Sequence, residues 1–190
     1  MSTSAPSRLL TPGQATRVTL ENLANFTPFR GRNIAIVGCM DGRMGEALKW
    51  IESCSGAIWH ANALRPGGTL AITGELTELD SWSELPLDLR LDPGEELSTL
   101  VKEIKYVEMQ LITAAVLAGQ PAEDAMLAGI VEVRHPYCAA AELHIGDQPL
   151  ESQLAGIIAG QDRAAPLLLE AFPELPLAQM IFDHRSRRWY

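Results

Sequence analysis

This chain has little cysteine and fewer basic than acidic residues. Its three cysteines, Cys39, Cys54 and Cys138, are few and odd in number. That favours a metal site or thiol chemistry in a reducing compartment over a disulfide framework. Against 24 acidic residues stand 15 basic ones, a net charge of -9. This balance argues against nucleic acid as a partner, because binding to phosphate backbones needs clustered Lys and Arg. The one basic cluster, Arg185, Arg187 and Arg188 in "DHRSRRWY", reads as a terminal tail in preference to a partner contact. Long apolar runs are missing as well. Nothing approaches the roughly 18 to 20 residues that span a bilayer. The opening "MSTSAPSRLLTPGQ" lacks the apolar stretch of about 7 to 15 residues of a secretory signal. A cytoplasmic protein with no membrane contact is the expectation.

What is present suits one domain. A chain of 190 residues can bury a sizeable core but cannot hold two large ones. Residues 1–30 read as an N-terminal arm, Ser-, Pro- and Thr-rich at first, with a short helix in "TRVTLENLANFTPFRG". Residues 31–190 read as a single α/β domain. The continuous apolar run "NIAIVGC" suits a strand buried on both faces. "MGEALKWIESCSG" follows with Ala47, Leu48, Ile51 and Cys54 at the spacing of one helical face. "AIWHANAL" is a second strand, and "TLAITGEL" offers an extra one within a loop-like stretch from Arg65 to Gly94. A long helix in "EELSTLVKEIKYVEMQLITAAVLAG" ends at Gly119 and Pro121. "AMLAGIVEVRH" is the third buried strand, with a short helical segment at Ala139 to Leu143 after it. A further helix must kink or break at Pro166, and "LAQMIFDH" closes as a fourth strand. No internal repeat is visible. Alternating strands and helices imply a mostly parallel sheet with helices on both faces.

In such sheets ligands collect at the carboxyl ends of the strands. Two strands deliver reactive side chains at that end: Cys39 after the first, and His135 with Cys138 after the third. Cysteine thiolate and histidine nitrogen are the preferred donors for tetrahedral zinc. "HPYC" puts two such donors three residues apart, and Cys39, nearly a hundred residues earlier, joins them if the first and third strands are sheet neighbours. Three donors with a fourth position left open are the catalytic form of a zinc site; four protein donors would make a structural one. Asp41 and Arg43 follow Cys39 at alternate positions. They read as a functional dyad beside the metal in preference to a structural ion pair alone. Asp41 is close enough in sequence either to accept a hydrogen bond from a zinc hydroxide or to bind zinc itself, and Arg43 can hold that carboxylate away by a bidentate pair.

"CMDGR" together with "HPYC" resembles the signature of the beta-class carbonic anhydrases. The resemblance implies Cys39, His135 and Cys138 as zinc ligands, Asp41 and Arg43 as the catalytic dyad, and a parallel sheet flanked by helices. It also implies a homodimer or dimer of dimers. The activity it implies is reversible hydration of carbon dioxide to bicarbonate by a hydroxide on Zn2+, whose acidity lowers the pKa of bound water. Two departures stand out. Ala139 follows the second motif where the family has glycine, and "HANALRPGGTL" stands where it reads Arg-Asn-Ala-Gly; Gly67 and Gly68 offer the same close backbone approach with Arg65 displaced. A changed pocket keeps two alternatives open: hydrolysis of carbon disulfide or carbonyl sulfide, or a noncatalytic zinc-binding homologue with an assembly role. Cys54 reads as core, His60 as a structural histidine in preference to a proton relay, and His144 and His184 as surface or loop residues. Tyr137 suits the pocket mouth or simple packing equally.

Overall fold

A computed structural model describes residues 6–11, 14–19, 32–55, 60–65, 67–78, 92–138 and 148–190. Its elements are β1 (Pro6–Thr11), β2 (Gln14–Thr19), β3 (Asn33–Cys39), α1 (Gly45–Ser55), β4 (His60–Arg65), α2 (Leu70–Thr73), α3 (Pro93–Leu117), α4 (Ala122–Ala125), β5 (Leu127–Arg134), α5 (Leu150–Ala171), β6 (Leu177–Asp183) and β7 (Arg188–Trp189). Strands β4, β3, β5 and β6 lie side by side in that order, and every pairing among them is parallel. The α/β class expected from the alternation is therefore what the chain adopts. Strands β3, β5 and β6 are buried along their whole length, which explains their predominantly apolar composition.

Alternate residues of β3 feed two cores. Ile34 and Ile36 face α1, packing with Met44, Ala47 and Ile51, while Ala35 and Val37 join Leu100, Ile104 and Leu168 of α3 and α5. Helices thus cover both faces of the sheet. α3 starts where Asp92 caps it, the carboxylate accepting the Glu95 N–H at 2.9 Å with Pro93 in the first turn. It ends in a Schellman arrangement: Gly119 takes a left-handed φ of 73°, and the Gln120 N–H reaches back to the Ala115 carbonyl.

Three expectations are corrected, and a fourth, the kink or break at Pro166, loses its second half. Within the residues expected to form an arm with a short helix, 1–30, the segments Pro6–Thr11 and Gln14–Thr19 are antiparallel strands, and β1 pairs antiparallel with β6. The β6 edge offers unpaired backbone groups that β1 satisfies from Arg8 to Leu10, and β2, with Thr16, Val18 and Thr19, pairs with β1 in turn; residues 20–31 lie outside the described residues. "TLAITGEL" is not a strand but α2 and a 3-10 turn over Glu75–Glu78, because Gly67 and Gly68 fold the chain tightly ahead of it. α5 runs through Pro166 without ending; Ala164, Ala165 and Leu168 beside it are buried, so tertiary packing outweighs the lost backbone bond. The basic tail is no tail: β7 pairs with β6, and Trp189 packs its ring 4.8 Å from Phe182 and 4.7 Å from Trp50. Residues 139–147, with the expected short helix and His144, lie outside the described residues.

Candidate metal centre

The site forms where β3 and β5 end as sheet neighbours. Parallel pairing of Gly38 with Val133 brings Cys39 beside the segment that follows β5. The close pass needs glycine, since a Cβ on Gly38 would stand 3.1 Å from the Val133 carbonyl oxygen. Just beyond β5, Pro136 and Tyr137 turn the chain, Tyr137 in the left-handed region at φ 59°. Its backbone N–H is held by the Gln153 side chain of α5 at 2.8 Å. That turn swings Cys138 back toward Cys39.

The ligand atoms of Cys39, His135 and Cys138 consequently lie within 4.8 Å of one another, all three side chains buried. The two sulfurs are 3.6 Å apart and neither is in a disulfide. His135 Nδ1 donates to the Pro136 carbonyl at 3.0 Å, which leaves Nε2 as the lone-pair nitrogen. That Nε2 is buried and has no hydrogen-bond partner among the described residues. A ring oriented by a carbonyl on one nitrogen and open on the other is how metal-binding imidazoles are held. The group can hold a metal ion.

The protein's hydrogen bonds prepare Cys39 for that role. Without metal, sharing a proton with the Cys138 sulfur and then burial push the Cys39 thiol well up. Backbone N–H groups of Asp41 and Gly67 oppose this by donating to its sulfur. Gly67 belongs to the turn anticipated as a close backbone approach: Gly68, at φ +66°, packs so tightly that a Cβ would stand 3.3 Å from Cys39 N. Arg65 turns away from the site to Glu103 at 3.2 Å and Glu96 at 3.5 Å on α3.

Asp41 and Arg43 are paired as the spacing suggested. The Asp41 carboxylate accepts the Arg43 backbone N–H at 2.9 Å, Nε at 2.9 Å, and Nη2. This Arg43 contact holds the Asp41 carboxyl well below the usual carboxylate range. Arg43 Nη2 also donates to the Tyr137 carbonyl at 3.1 Å, tying the dyad to the second motif.

One neighbour went unread in the sequence. His184, read as a surface or loop residue, lies half-buried in the turn just after β6, its ring edge-on to His135 at 5.8 Å and to Tyr137 at 6.1 Å. Arg43 Nη1 lies 3.2 Å from its Nε2. Burial, then the Arg43 charge, pulls the His184 pKa below the ordinary imidazole value. Arg185 stacks over the Tyr137 ring at 3.4 Å, so Tyr137 packs against both Arg185 and His184. The only available signal was position: His184 follows β6, the sheet neighbour of β5, and shares its carboxyl end. His60 begins β4, at the opposite end of that strand from Arg65, and Cys54 lies in α1; their side chains are outside the described residues. None of the described helices is long and apolar enough to cross a membrane.

Comparison with known proteins returns no match: no family model, no curated protein and no solved structure.

Proposed function

We propose that this chain is a zinc-dependent lyase of the beta carbonic anhydrase type, converting carbon dioxide and water reversibly to bicarbonate and a proton. The observation that carries the reading is the meeting of three buried donors, Cys39, His135 and Cys138, beside an Asp41 carboxylate engaged by Arg43. Two thiolates and a neutral imidazole balance the charge of Zn2+ and leave a fourth position, the donor set of a catalytic site. When bound there, zinc supplies the acidity that makes water a nucleophile at neutral pH.

The chain's own residues do the rest. Asp41, kept ionised by Arg43, offers only acceptor atoms, so it orients a hydroxyl group and does not compete for its proton. Arg43 occupies that carboxylate and so withholds it from the metal. Tyr137 and Cys138 stay in register with the dyad through the Arg43 bond to the Tyr137 carbonyl. The same reading places the protein in the cytoplasm as a homodimer or dimer of dimers.

Stopped-flow carbon dioxide hydration by the zinc-loaded protein tests the proposal. Turnover lost in Cys39→Ser supports it. Absence of hydration at neutral and mildly alkaline pH overturns it, and hydrolysis of carbonyl sulfide or carbon disulfide in its place would reassign the substrate while keeping the metal.

A further inference from the structure

Next to the metal donors lies a buried ionic cluster that hydration chemistry does not use. Glu132 is completely buried and Arg134 is 4% exposed, at alternate positions of β5 immediately before His135. Glu132 accepts from the Thr69 hydroxyl, from Arg134 Nε at 3.1 Å and from Gln179 Nε2 at 2.6 Å. Arg134 Nε also donates to the Thr69 hydroxyl oxygen at 2.8 Å, which closes a ring of three side chains. A Cβ at Gly160 of α5 would collide with Arg134 Nη1 and stand 3.0 Å from its Cζ, so glycine is required for the guanidinium to lie there. Burying charges in this way is costly and gives little net stability over apolar packing.

The cluster does join two parts of the site. Thr69 closes the turn whose Gly67 lines the same small cavity as Cys39 and whose Gly68 rests on the Cys39 backbone. Arg134 directly precedes His135, and both line the small cavity that the two cysteine sulfurs face. We infer that Thr69, Glu132 and Arg134 form a positioning triad. It holds the Gly67 N–H on the sulfur of Cys39 and fixes the strand end that carries His135. The donors are thereby set before the metal arrives. This inference rests on the metal-centre reading, and its residues are positioning residues, not catalytic ones.

Thr69→Val removes the bridging hydroxyl with little change of shape or charge, and Thr69→Ser restores it. Chelator competition reads zinc affinity, the cobalt-substituted protein reads the sulfur-to-metal charge-transfer band, and denaturant unfolding of the metal-free chain reads the fold. Thr69→Val is expected to weaken zinc by roughly 10- to 100-fold and to move the charge-transfer band to longer wavelength, because a sulfur without its hydrogen bond gives up electron density more easily. Thr69→Ser is expected to return both to wild type. Arg134→Lys, which keeps the charge but loses the planar fork, is expected to shift the band in the same direction and serves if Thr69→Val does not fold. An unshifted band in these variants, even with lower stability or affinity, assigns the cluster to the fold alone and overturns the inference. Wild-type protein that takes up neither zinc nor cobalt overturns the metal-centre reading itself, a result distinct from the first.

Discussion

Pro136 fixes more of this site's chemistry than its own side chain could. By accepting the Nδ1 proton of His135, its carbonyl leaves Nε2 facing the two sulfurs, so metal affinity turns on the cysteines. Cys39→Ser exchanges a soft thiolate for a hydroxyl that stays protonated at neutral pH. It is expected to lower metal content from about one zinc per chain to a trace, measured by elemental analysis of purified protein. Arg43→Lys tests the other half. Lysine cannot span both carboxylate oxygens of Asp41, so the carboxylate is released toward the metal while zinc is retained. Carbon dioxide hydration is expected to fall roughly 10- to 100-fold, with metal content unchanged in the same preparation. Cys39, Asp41, Arg43, His135 and Cys138 were legible because their types and spacings are unusual in one sequence. His184 was not, since a histidine in a turn has no periodicity to betray that it lies against His135. Glu132 and Arg134 did leave a trace, two charges at alternate positions inside "AGIVEVRH", where an apolar strand should have none.

Elements were legible where one physical rule acted alone. β3, β5 and β6 declared themselves by predominantly apolar runs, and α3 by its period and its Gly119 stop. Reading failed where two rules competed. At Pro166 local preference said kink or break, and with Ala164, Ala165 and Leu168 packed beside it the helix does not end. At Leu70–Thr73 the β-branched composition said strand, whereas the double glycine turn before it and the burial of Leu70 to Ile72 produced a helix. That turn yields an element-scale prediction. Gly68 and Gly119 both hold left-handed φ values, +66° and +73°, but only Gly68 has backbone within 3.3 Å. Gly119→Ala is expected to cost about 1 to 2 kcal/mol in denaturant unfolding, the strain of the conformation alone. Gly68→Ala is expected to exceed that and also to weaken zinc, because the turn must shift off Cys39. Equal costs, or unchanged zinc affinity in Gly68→Ala, would show that the turn does not support the sulfur.

At the scale of the molecule, the donors come from the ends of two adjacent central strands, with 99 residues separating Cys39 from Cys138. The intervening chain includes β4 and α3, so both helical layers meet on the sheet that the metal would clamp. Partnership between β3 and β5 was a long-range fact of the site that the sequence could not supply, because strand order is set by how the helices pack and leaves no mark in either strand. An ion that binds this arrangement and not the unfolded chain stabilises the whole domain by mass action. With free zinc at about 1,000 times its dissociation constant, the gain is about 4 kcal/mol. Chelation should therefore lower the global unfolding midpoint of the wild-type chain cooperatively and leave that of Cys39→Ser unmoved, followed by circular dichroism during denaturant titration. A wild-type midpoint that ignores the chelator would mean that zinc does not bind across β3 and β5. A local, non-global loss of structure would mean that the strand ends loosen without involving the sheet. The full burial of Ile34, Ile36, Ile130 and Val133 around the two strands argues for the cooperative outcome, since neither end can open without exposing that core.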